Sequence, residues 1–300
     1  MARIGFIGLG NMGGPMAANL LKAGHDVVGI DIDLAAMQRH ADNGGARAGS
    51  IPELAQSSDI IITMLPTGRH VQEVYMGEGG ILKNASMKTL LIDSSTIDVV
   101  TARLIAEKAE ISGMLIVDAP VSGGIWGAEA ASLTFMVGGT EEAFALAEPI
   151  LQPMGTTIVH AGGAGNGQAA KICNNMVLGV SMIAVSEAFV LAEKLGLDRQ
   201  KFFDISSTAS SQCWAMTTYC PVPGPVPASP ANKDYEPGFT ADMMVKDMTL
   251  AQSAAQSAGV STPMGAEAAA LYGLYAKSGE GEKDFSGIVR FIRGKDESGS

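Results

Sequence analysis

The sequence predicts an α/β fold in its first half and an all-helical domain in its second half. Up to about residue 160, short apolar runs alternate with helix-like segments of about ten residues. Beyond that point helical patterns follow one another, without a convincing strand. Strand–helix alternation implies a parallel sheet with helices covering both faces. The chain has 300 residues, more than one ordinary hydrophobic core takes, which also favours two domains.

Seven apolar runs in the first half predict strands. They are Ile4–Gly8, Asp26–Asp31, Ile60–Leu65, Thr89–Asp93, Leu115–Ala119, Leu133–Gly138 and Thr156–His160. Amphipathic helical patterns lie between most of them, such as Met12–Ala23, Leu34–Asn43, Val99–Ala109 and Glu141–Leu151. No clear helix precedes Leu133–Gly138, which favours an antiparallel addition to the sheet at that point.

A long helical pattern, Gln168–Leu197, opens the second half and connects the two domains. We therefore predict domains at residues 1–163 and 164–300. Further helices are predicted at Arg199–Ser206, Met243–Ala258, Met264–Ser278 and Asp284–Arg293. The stretch Cys220–Gly238 contains six prolines and predicts an ordered loop that crosses the surface.

Composition narrows the class of protein. Hydrophobic residues make up 47% of the chain and the net charge is −11, which indicates a globular protein that repels nucleic acid. Three cysteines without a CxxC motif fit a reducing compartment. The longest apolar stretch, Met176–Val185, is shorter than the roughly 20 residues that span a bilayer, and no signal peptide is recognised. We expect a cytoplasmic protein without a membrane partner.

The first predicted strand runs into the sequence Gly8-Leu9-Gly10-Asn11-Met12-Gly13, which reads GxGxxG. Gly8 allows a tight turn off the strand, Gly10 allows close approach of a pyrophosphate, and Gly13 allows the next helix to pack on the sheet. The amino terminus of that helix offers N–H groups to phosphate oxygens. Strand, turn, helix and second strand come in the order of a Rossmann-like dinucleotide-binding domain.

Asp31 ends the second predicted strand, 18 positions after Gly13, and Ile32 follows it. A carboxylate at this place accepts hydrogen bonds from the ribose hydroxyls of adenosine and repels the 2′-phosphate of NADP. Asp33 comes next and no arginine lies nearby in the sequence. These residues predict NAD as the cofactor.

Two other stretches are candidates for the reaction itself. Ser122, Gly123 and Gly124 follow a strand at the carboxyl edge of the predicted sheet, where backbone N–H groups could hold a carboxylate or simply form a tight turn. Lys171 lies among apolar residues on the long helix, one turn before Asn175. A buried lysine either transfers protons or extends its amine to solvent.

Other polar residues carry weaker signals. Lys246 and Asp247 look by pattern like a charged pair on a solvated helix face. Cys173, in an apolar helical context, is interpreted as a small core residue, and Trp214 could line a pocket or pack in the core. The four histidines show neither metal-ligand spacing nor a triad pattern, so no metal is expected.

Taken together, the motifs resemble the β-hydroxyacid dehydrogenase family, relatives of 6-phosphogluconate dehydrogenase. The resemblance rests on GFIGLGNMGGPMAANLLKAGH, MLPT, DSST, DAPVSGG, GNGQAAKICNN and KDMTLAQ, which occur in the family's order along nearly the whole chain. Within the family, QCWAMTTYCPVPG resembles the segment typical of the 3-hydroxyisobutyrate dehydrogenase branch.

The resemblance implies roles that spacing does not. Lys171 would be the catalytic acid/base. Substrate would contact Thr96, Ser122, Gly123, Gly124, Asn174, Asn175, Trp214, Phe239 and Asp247. NAD would contact Gly8, Leu9, Gly10, Asn11, Met12, Gly13, Asp31, Ile32, Leu65, Pro66, Thr96 and Lys246, with a weaker role for His70. The role implied for Lys246 replaces the solvated-face interpretation.

The activity implied is oxidation of 3-hydroxyisobutyrate to methylmalonate semialdehyde in valine catabolism, by a homodimer or homotetramer. Oxidation of 3-hydroxypropionate and reduction of tartronate semialdehyde on the same scaffold are the close alternatives. A non-catalytic dinucleotide-binding protein and a purely structural oligomer are the alternatives from other classes. Both Lys171 and the Ser122 turn are present, which disfavours a dead site.

Overall fold

The structure is a computed structural model that describes residues 1–294. It divides into two compact units, Met1–Lys171 and a second unit that starts at Ile172. The first unit contains a sheet covered by helices, and the second is built of helices. The predicted fold class is therefore confirmed, including a long helix that runs through the division.

One sheet of nine strands is found within the described residues. The strands are β1 (Arg3–Ile7), β2 (Asp26–Ile30), β3 (Ala46–Arg47), β4 (Ile60–Thr63), β5 (Leu90–Asp93), β6 (Ile116–Asp118), β7 (Val121–Ser122), β8 (Leu133–Gly139) and β9 (Gly155–Gly162). The first six are parallel, in the spatial order β3-β2-β1-β4-β5-β6. This order places a topological switch point between β1 and β4, where open α/β sheets bind ligands.

The sheet continues with strands of mixed direction. β8 pairs antiparallel with both β6 and β7, as predicted for Leu133–Gly138, and β9 pairs parallel with β8. Eight helices accompany these strands: α1 (Gly13–Lys22), α2 (Leu34–Asp42), α3 (Ile51–Ser57), α4 (Gly68–Met76), α5 (Ile81–Asn84), α6 (Val99–Ile111), α7 (Gly124–Glu129) and α8 (Glu141–Leu151).

Alternate residues of the central strands point into different cores. Phe6 belongs to the hydrophobic cluster on one face of the sheet, and Ile7 belongs to the cluster on the other face. Because successive side chains of a strand point to opposite faces, strands covered on both sides read as continuous apolar runs. The runs IIIT in β4 and LLID in β5 have this form.

The second unit contains helices around its own core. α9 (Asn166–Lys194) crosses the division, and α10 (Arg199–Ser206), α11 (Trp214–Thr217), α12 (Ala241–Ala258), α13 (Pro263–Tyr275) and α14 (Ile288–Arg293) follow. Phe189, Tyr272 and Phe285 are among its fully buried side chains. α12 begins where Thr240 accepts a hydrogen bond from the backbone N–H of Met243, and ends at Gly259, whose φ is +66°.

Two predictions about the second half are corrected. The proline-rich loop is ordered, but it does not simply cross the surface, because Cys220, Val222 and Tyr235 are buried in the core of this unit. α9 also has the length and apolar composition of a membrane-spanning helix. The apolar stretch Met176–Val185, considered alone in the sequence, had looked too short to span a bilayer. Core helices of soluble proteins pass the same test, and part of the apolar window of α9 is buried in the protein.

Candidate active site

The turn between β1 and α1 requires two of its three glycines for the protein's own packing. Gly8 has φ +96°, and a Cβ atom there would overlap the carbonyl oxygen of Met64. A Cβ atom on Gly13 would overlap the carbonyl oxygen of Gly8. Both positions therefore exclude any larger residue, independently of a ligand.

Gly10 is different, because a Cβ atom there would meet no atom of the described residues within 4 Å. Nothing in the fold of residues 1–294 demands a glycine there, while close approach of a phosphate would. No side chain of residues 1–294 caps α1, and its first turn contains no acidic residue. The amino terminus of α1 therefore fits a pyrophosphate. Leu9, Asn11 and Met12 lie in the same turn.

Asp31, directly after β2, is fixed by two backbone N–H groups. Leu9 donates a hydrogen bond to its Oδ2 at 2.6 Å, and Asp33 donates one to its Oδ1 at 2.8 Å. The carboxylate therefore lies beside the glycine turn, and each oxygen retains acceptor capacity for a ribose hydroxyl. The neighbouring side chain of Ile32 is exposed.

Three polar residues end three adjacent strands in register. Thr63 pairs with Asp93, and Asp93 pairs with Asp118, at the carboxyl ends of β4, β5 and β6. Thr63 Oγ1 donates to Asp93 Oδ1 at 2.8 Å. Burial raises the pKa of Asp93 to about 6, although hydrogen bonds from Ser95 and Thr63 favour its charged form. Burial also raises the pKa of Asp118.

This row of polar residues holds the segments that carry Leu65 and Thr96. Ser95 Oγ donates to Asp93 at 2.6 Å and accepts a hydrogen bond from the backbone N–H of Leu65 at 2.9 Å. The half-buried Thr96 follows Ser95. The structure thus brings together two segments that were predicted separately as cofactor contacts.

Pro66 and His70 lie further along the segment after β4. Pro66 is exposed, and His70 lies in the first turn of α4, where its Nδ1 is 2.8 Å from Thr67 Oγ1. Thr67 also caps α4 by accepting a hydrogen bond from the backbone N–H of His70. His70 therefore has a local structural partner within its own turn.

The turn after β7 contains two successive glycines with positive φ. Ser122 ends β7, and Gly123 and Gly124 have φ of +134° and +63°. α7 begins at Gly124 without a side-chain cap among residues 1–294. Backbone N–H groups in such a turn can bind a carboxylate.

Lys171 is buried in the second turn of α9. The start of that helix is anchored by Asp118, which accepts hydrogen bonds from the backbone N–H groups of Gly165 at 2.7 Å and Gln168 at 2.9 Å. Cys173 is exposed, so its interpretation as a core residue is wrong. Two residues correspond to about 200° around a helix, so Cys173 faces away from the side that buries Lys171.

In the second unit, Asn175 Nδ2 donates to Asp247 Oδ2 at 2.5 Å. Asp247 is buried, and its Oδ1 accepts no hydrogen bond from the described residues; the ammonium group of Lys246 lies 3.9 Å from that oxygen. The solvated-face interpretation is therefore wrong for Asp247. Asn174 is exposed and donates to Asn175 Oδ1 at 3.0 Å.

Trp214 and Phe239 belong to one group of aromatic rings in the second unit. Trp214 stacks on Tyr219 at 4.7 Å, and Tyr219 stacks on Phe285 at 5.5 Å. Phe239 meets Phe285 edge to face at 5.6 Å. Trp214 as a residue remains 47% exposed, so it packs on Tyr219 while part of it stays accessible.

Sequence reasoning missed four polar residues that position these groups: Asp93, Asp118, Gln168 and Asp284. Asp284 is fully buried and accepts hydrogen bonds from Tyr219 Oη, Ser286 Oγ and the backbone N–H of Phe239. For Asp93 and Asp118 a signal did exist, since each is an acid that closes a run of buried strand residues. For Gln168 and Asp284 the local sequence offers no such signal.

The strand order, the glycine turn and the fixed Asp31 define a NAD-binding domain, and comparison with known proteins agrees. Residues 3–163 match the model of the NAD binding domain of 6-phosphogluconate dehydrogenase. Residues 165–292 match the model described as NAD-binding of NADP-dependent 3-hydroxyisobutyrate dehydrogenase.

Full-length relatives define the family. A probable 3-hydroxyisobutyrate dehydrogenase of Mycobacterium tuberculosis is 50% identical and covers 98% of this chain and 99% of its own length. The 3-hydroxyisobutyrate dehydrogenase of Pseudomonas aeruginosa is 46% identical, covering 99% of this chain and 100% of its own. A solved structure of the M. tuberculosis enzyme with L-serine has a TM-score of 0.94, 51% identity, and coverage of 98% and 100%. This chain belongs to the 3-hydroxyisobutyrate dehydrogenase family.

Within residues 1–294, no cluster of three or more His, Cys, Asp or Glu side chains is arranged to hold a metal ion.

Proposed function

We propose that this protein oxidises 3-hydroxyisobutyrate to methylmalonate semialdehyde with NAD, as a step of valine catabolism. The relatives named for this activity are about half identical to the chain over almost its whole length. The M. tuberculosis relative was solved with L-serine, which is itself a 3-hydroxy acid and supports this substrate class.

The observation that carries the proposed mechanism is the burial of Lys171 in the unit that contains the glycine turn. A lysine amine held inside the protein can act as the general base that takes the proton of the substrate hydroxyl. NAD, when bound, supplies the acceptor for the hydride that leaves C3 of the substrate. The electrons of the C–H bond leave with the hydride, and the proton moves to Lys171 Nζ.

The other predicted residues bind and orient. The N–H groups around Ser122, Gly123 and Gly124 hold the substrate carboxylate. Asn175, with Asn174 beside it, orients the substrate. Asp247, Phe239 and Trp214 complete the substrate pocket. Thr96 contacts both substrate and nicotinamide.

The remaining cofactor contacts follow the same reasoning. Gly10 and the amino terminus of α1 bind the pyrophosphate. Asp31 and Ile32 contact the adenosine. The neighbouring part of the dinucleotide contacts Leu65, Pro66 and His70. Lys246 also contacts the cofactor. NAD is preferred over NADP because Asp31 is fixed as an acceptor of ribose hydroxyls.

We also propose that the protein acts in the cytoplasm as a homodimer or homotetramer. Several apolar side chains of the helical unit are exposed, among them Val177 and Leu191 of α9. Exposed apolar residues along one long helix favour self-association. Light scattering coupled to gel filtration measures the mass directly, and a monomer of 30.9 kDa at micromolar concentration would contradict this part.

The test is a panel of NAD and NADP against 3-hydroxyisobutyrate, 3-hydroxypropionate, L-serine, glycerate and 6-phosphogluconate; tartronate semialdehyde is tested with NADH. We expect the highest kcat/KM for 3-hydroxyisobutyrate with NAD. A higher kcat/KM for one of the other 3-hydroxy acids would keep the reaction class and change the substrate. Preference for 6-phosphogluconate would overturn the proposal.

The role of Lys171 is tested by Lys171→Ala. We expect kcat to fall by about 10²- to 10⁴-fold, the range of general acid–base catalysis, with NAD affinity retained. Lys108→Ala is the matched control, because Lys108 is a surface lysine that pairs with Glu107. Undiminished turnover of Lys171→Ala would remove Lys171 from the mechanism.

A further inference from the structure

The side chain of Gln168, in the first turn of α9, is completely buried and uses both ends of its amide group. Its Oε1 accepts a hydrogen bond from the backbone N–H of Ile97 at 3.1 Å. Its Nε2 donates to the carbonyl oxygen of Ser95 at 2.7 Å. One side chain therefore binds the peptide groups immediately before and after Thr96.

The main chain of Gln168 is fixed as well. Its N–H donates to Asp118 Oδ2 at 2.9 Å, and the other oxygen of Asp118 accepts the N–H of Gly165. This places the first turn of α9 on the carboxyl end of β6. Lys171 follows Gln168 by three positions, which is about one helical turn.

The segment that Gln168 binds is also fixed by Asp93, at the end of β5. Ser95 Oγ donates to Asp93 at 2.6 Å and accepts from the N–H of Leu65 at 2.9 Å. Ser95 is itself completely buried. The peptide around Thr96 is thus held between the end of β5 and the start of α9, and Gln168 supplies two side-chain hydrogen bonds from the α9 side.

We propose that Gln168 is a positioning residue, which fixes Thr96 relative to Lys171 by linking the Ser95–Ile97 segment to the helix turn that precedes the catalytic lysine. This inference rests on the proposed role of Lys171. Glutamine suits the position because it offers one donor and one acceptor without charge. Small displacements of reacting groups lower the rate steeply, so such a link affects turnover more than binding.

Gln168→Met removes both side-chain hydrogen bonds and keeps a side chain of similar length. We expect kcat to fall by about 10- to 100-fold, while the Kd for NAD, measured by titration calorimetry, changes by less than about threefold. Asn19→Ala is the matched control. Asn19 is also a buried amide in the first unit, which donates to the carbonyl oxygen of Ala128 at 2.7 Å, and its loss should lower Tm without lowering kcat.

Gln168→Glu should give a pH dependence of kcat that a mere loss of stability would not produce. A protonated glutamic acid still offers a donor to Ser95 and an acceptor to Ile97, whereas the ionised form faces the Ser95 carbonyl with negative charge. The ratio of its kcat to that of the wild type should therefore fall as pH rises. The carboxyl groups of Asp93 and Asp118 face the same segment, so the wild type is measured over the same pH range and only the ratio is used.

Hydrogen exchange in the protein without NAD supplies a readout that is independent of activity. In Gln168→Met, the amide of Ile97 should exchange roughly fivefold faster or more, the factor expected when a net hydrogen bond is lost, and Asn19→Ala should leave it unchanged. Unchanged exchange at Ile97, or kcat of Gln168→Met within about twofold of wild type, would overturn the proposal. An inactive wild type would refute the proposed function alone, because the exchange measurement would still decide whether Gln168 holds this segment.

Discussion

Gly13 packs directly on the carbonyl group of Gly8, so the helix that follows the first strand has no room for a Cβ atom at its first residue. Gly10, between them in sequence, faces open space instead. The same short motif therefore contains glycines required by the fold and a glycine whose space is available to a ligand. This difference can be measured.

We expect Gly10→Ala and Gly13→Ala to separate binding from stability. Gly10→Ala should change the free energy of unfolding by no more than about 0.5 kcal/mol, since its Cβ meets no described residue. Its affinity for NAD should fall at least about tenfold, because the methyl group occupies the space of a phosphate. Gly13→Ala should lose about 1–3 kcal/mol of stability from overpacking. Denaturant unfolding measures the stability of both variants, and NAD titration measures their affinity. Unchanged NAD affinity of Gly10→Ala would contradict the assignment of this turn to the pyrophosphate.

Asp31→Ala should weaken discrimination between the two dinucleotides. We expect kcat/KM for NAD to fall about tenfold or more, as hydrogen bonds to a charged acceptor are lost, and the NAD-to-NADP ratio to fall with it. Asp33→Asn is the control. It removes a neighbouring charge and keeps a side chain able to cap α2, so the ratio should change less. An equal effect of both substitutions would show that general charge, and not the position of Asp31, governs the preference.

Asp93 makes stability depend on pH. Its pKa is raised by burial from 3.8 to about 6, so the folded protein holds this proton more tightly than the unfolded chain. Stability contributed by the protonated group is present at low pH and is lost as pH rises from about 4 to 6. The free energy of unfolding of wild type relative to Asp93→Asn should therefore fall by up to about 3 kcal/mol across this range and then level off.

Ser95→Ala tests the same pH dependence by changing the pKa of Asp93 while keeping its carboxyl group. The Ser95 hydroxyl donates to the Asp93 carboxylate and favours its charged form, so its removal should raise the pKa of Asp93 and extend the pH window upward. Urea unfolding at a series of pH values measures both variants. A wild-type curve parallel to that of Asp93→Asn would mean that Asp93 does not titrate in this range.

Tyr219→Phe and Tyr272→Phe test a buried carboxylate in the second unit. Tyr219 Oη donates to Asp284 Oδ2 at 2.8 Å, whereas the buried Tyr272 hydroxyl has no hydrogen-bond partner among the described residues. Loss of the first hydroxyl should lower the free energy of unfolding by about 1–3 kcal/mol, and loss of the second should be neutral or stabilising. Thermal unfolding gives the comparison, and equal effects would contradict the geometry around Asp284.

The sequence alone was sufficient to predict those features of the fold and the site that depend on the spacing of nearby residues. Phe6 and Ile7 belong to a continuous apolar strand, and the glycines that follow are spaced for a turn into a helix. Such signals are local because periodicity and φ preferences act over a few residues. These local signals predicted the α/β unit, the helical second half and the dinucleotide-binding turn. The order of the motifs along the chain, added to these signals, indicated the family.

The tertiary structure decided which polar side chains are buried and what they hold. Asp247 looked solvated in the helical pattern, but it is buried and bonded to Asn175, 72 positions earlier. Gln168 binds the chain on both sides of Thr96 across more than 70 positions, and nothing in its neighbours predicts this. A hydrogen bond between distant segments depends on where the whole chain brings them, so the local pattern specified the residue and only the folded chain specified its partner.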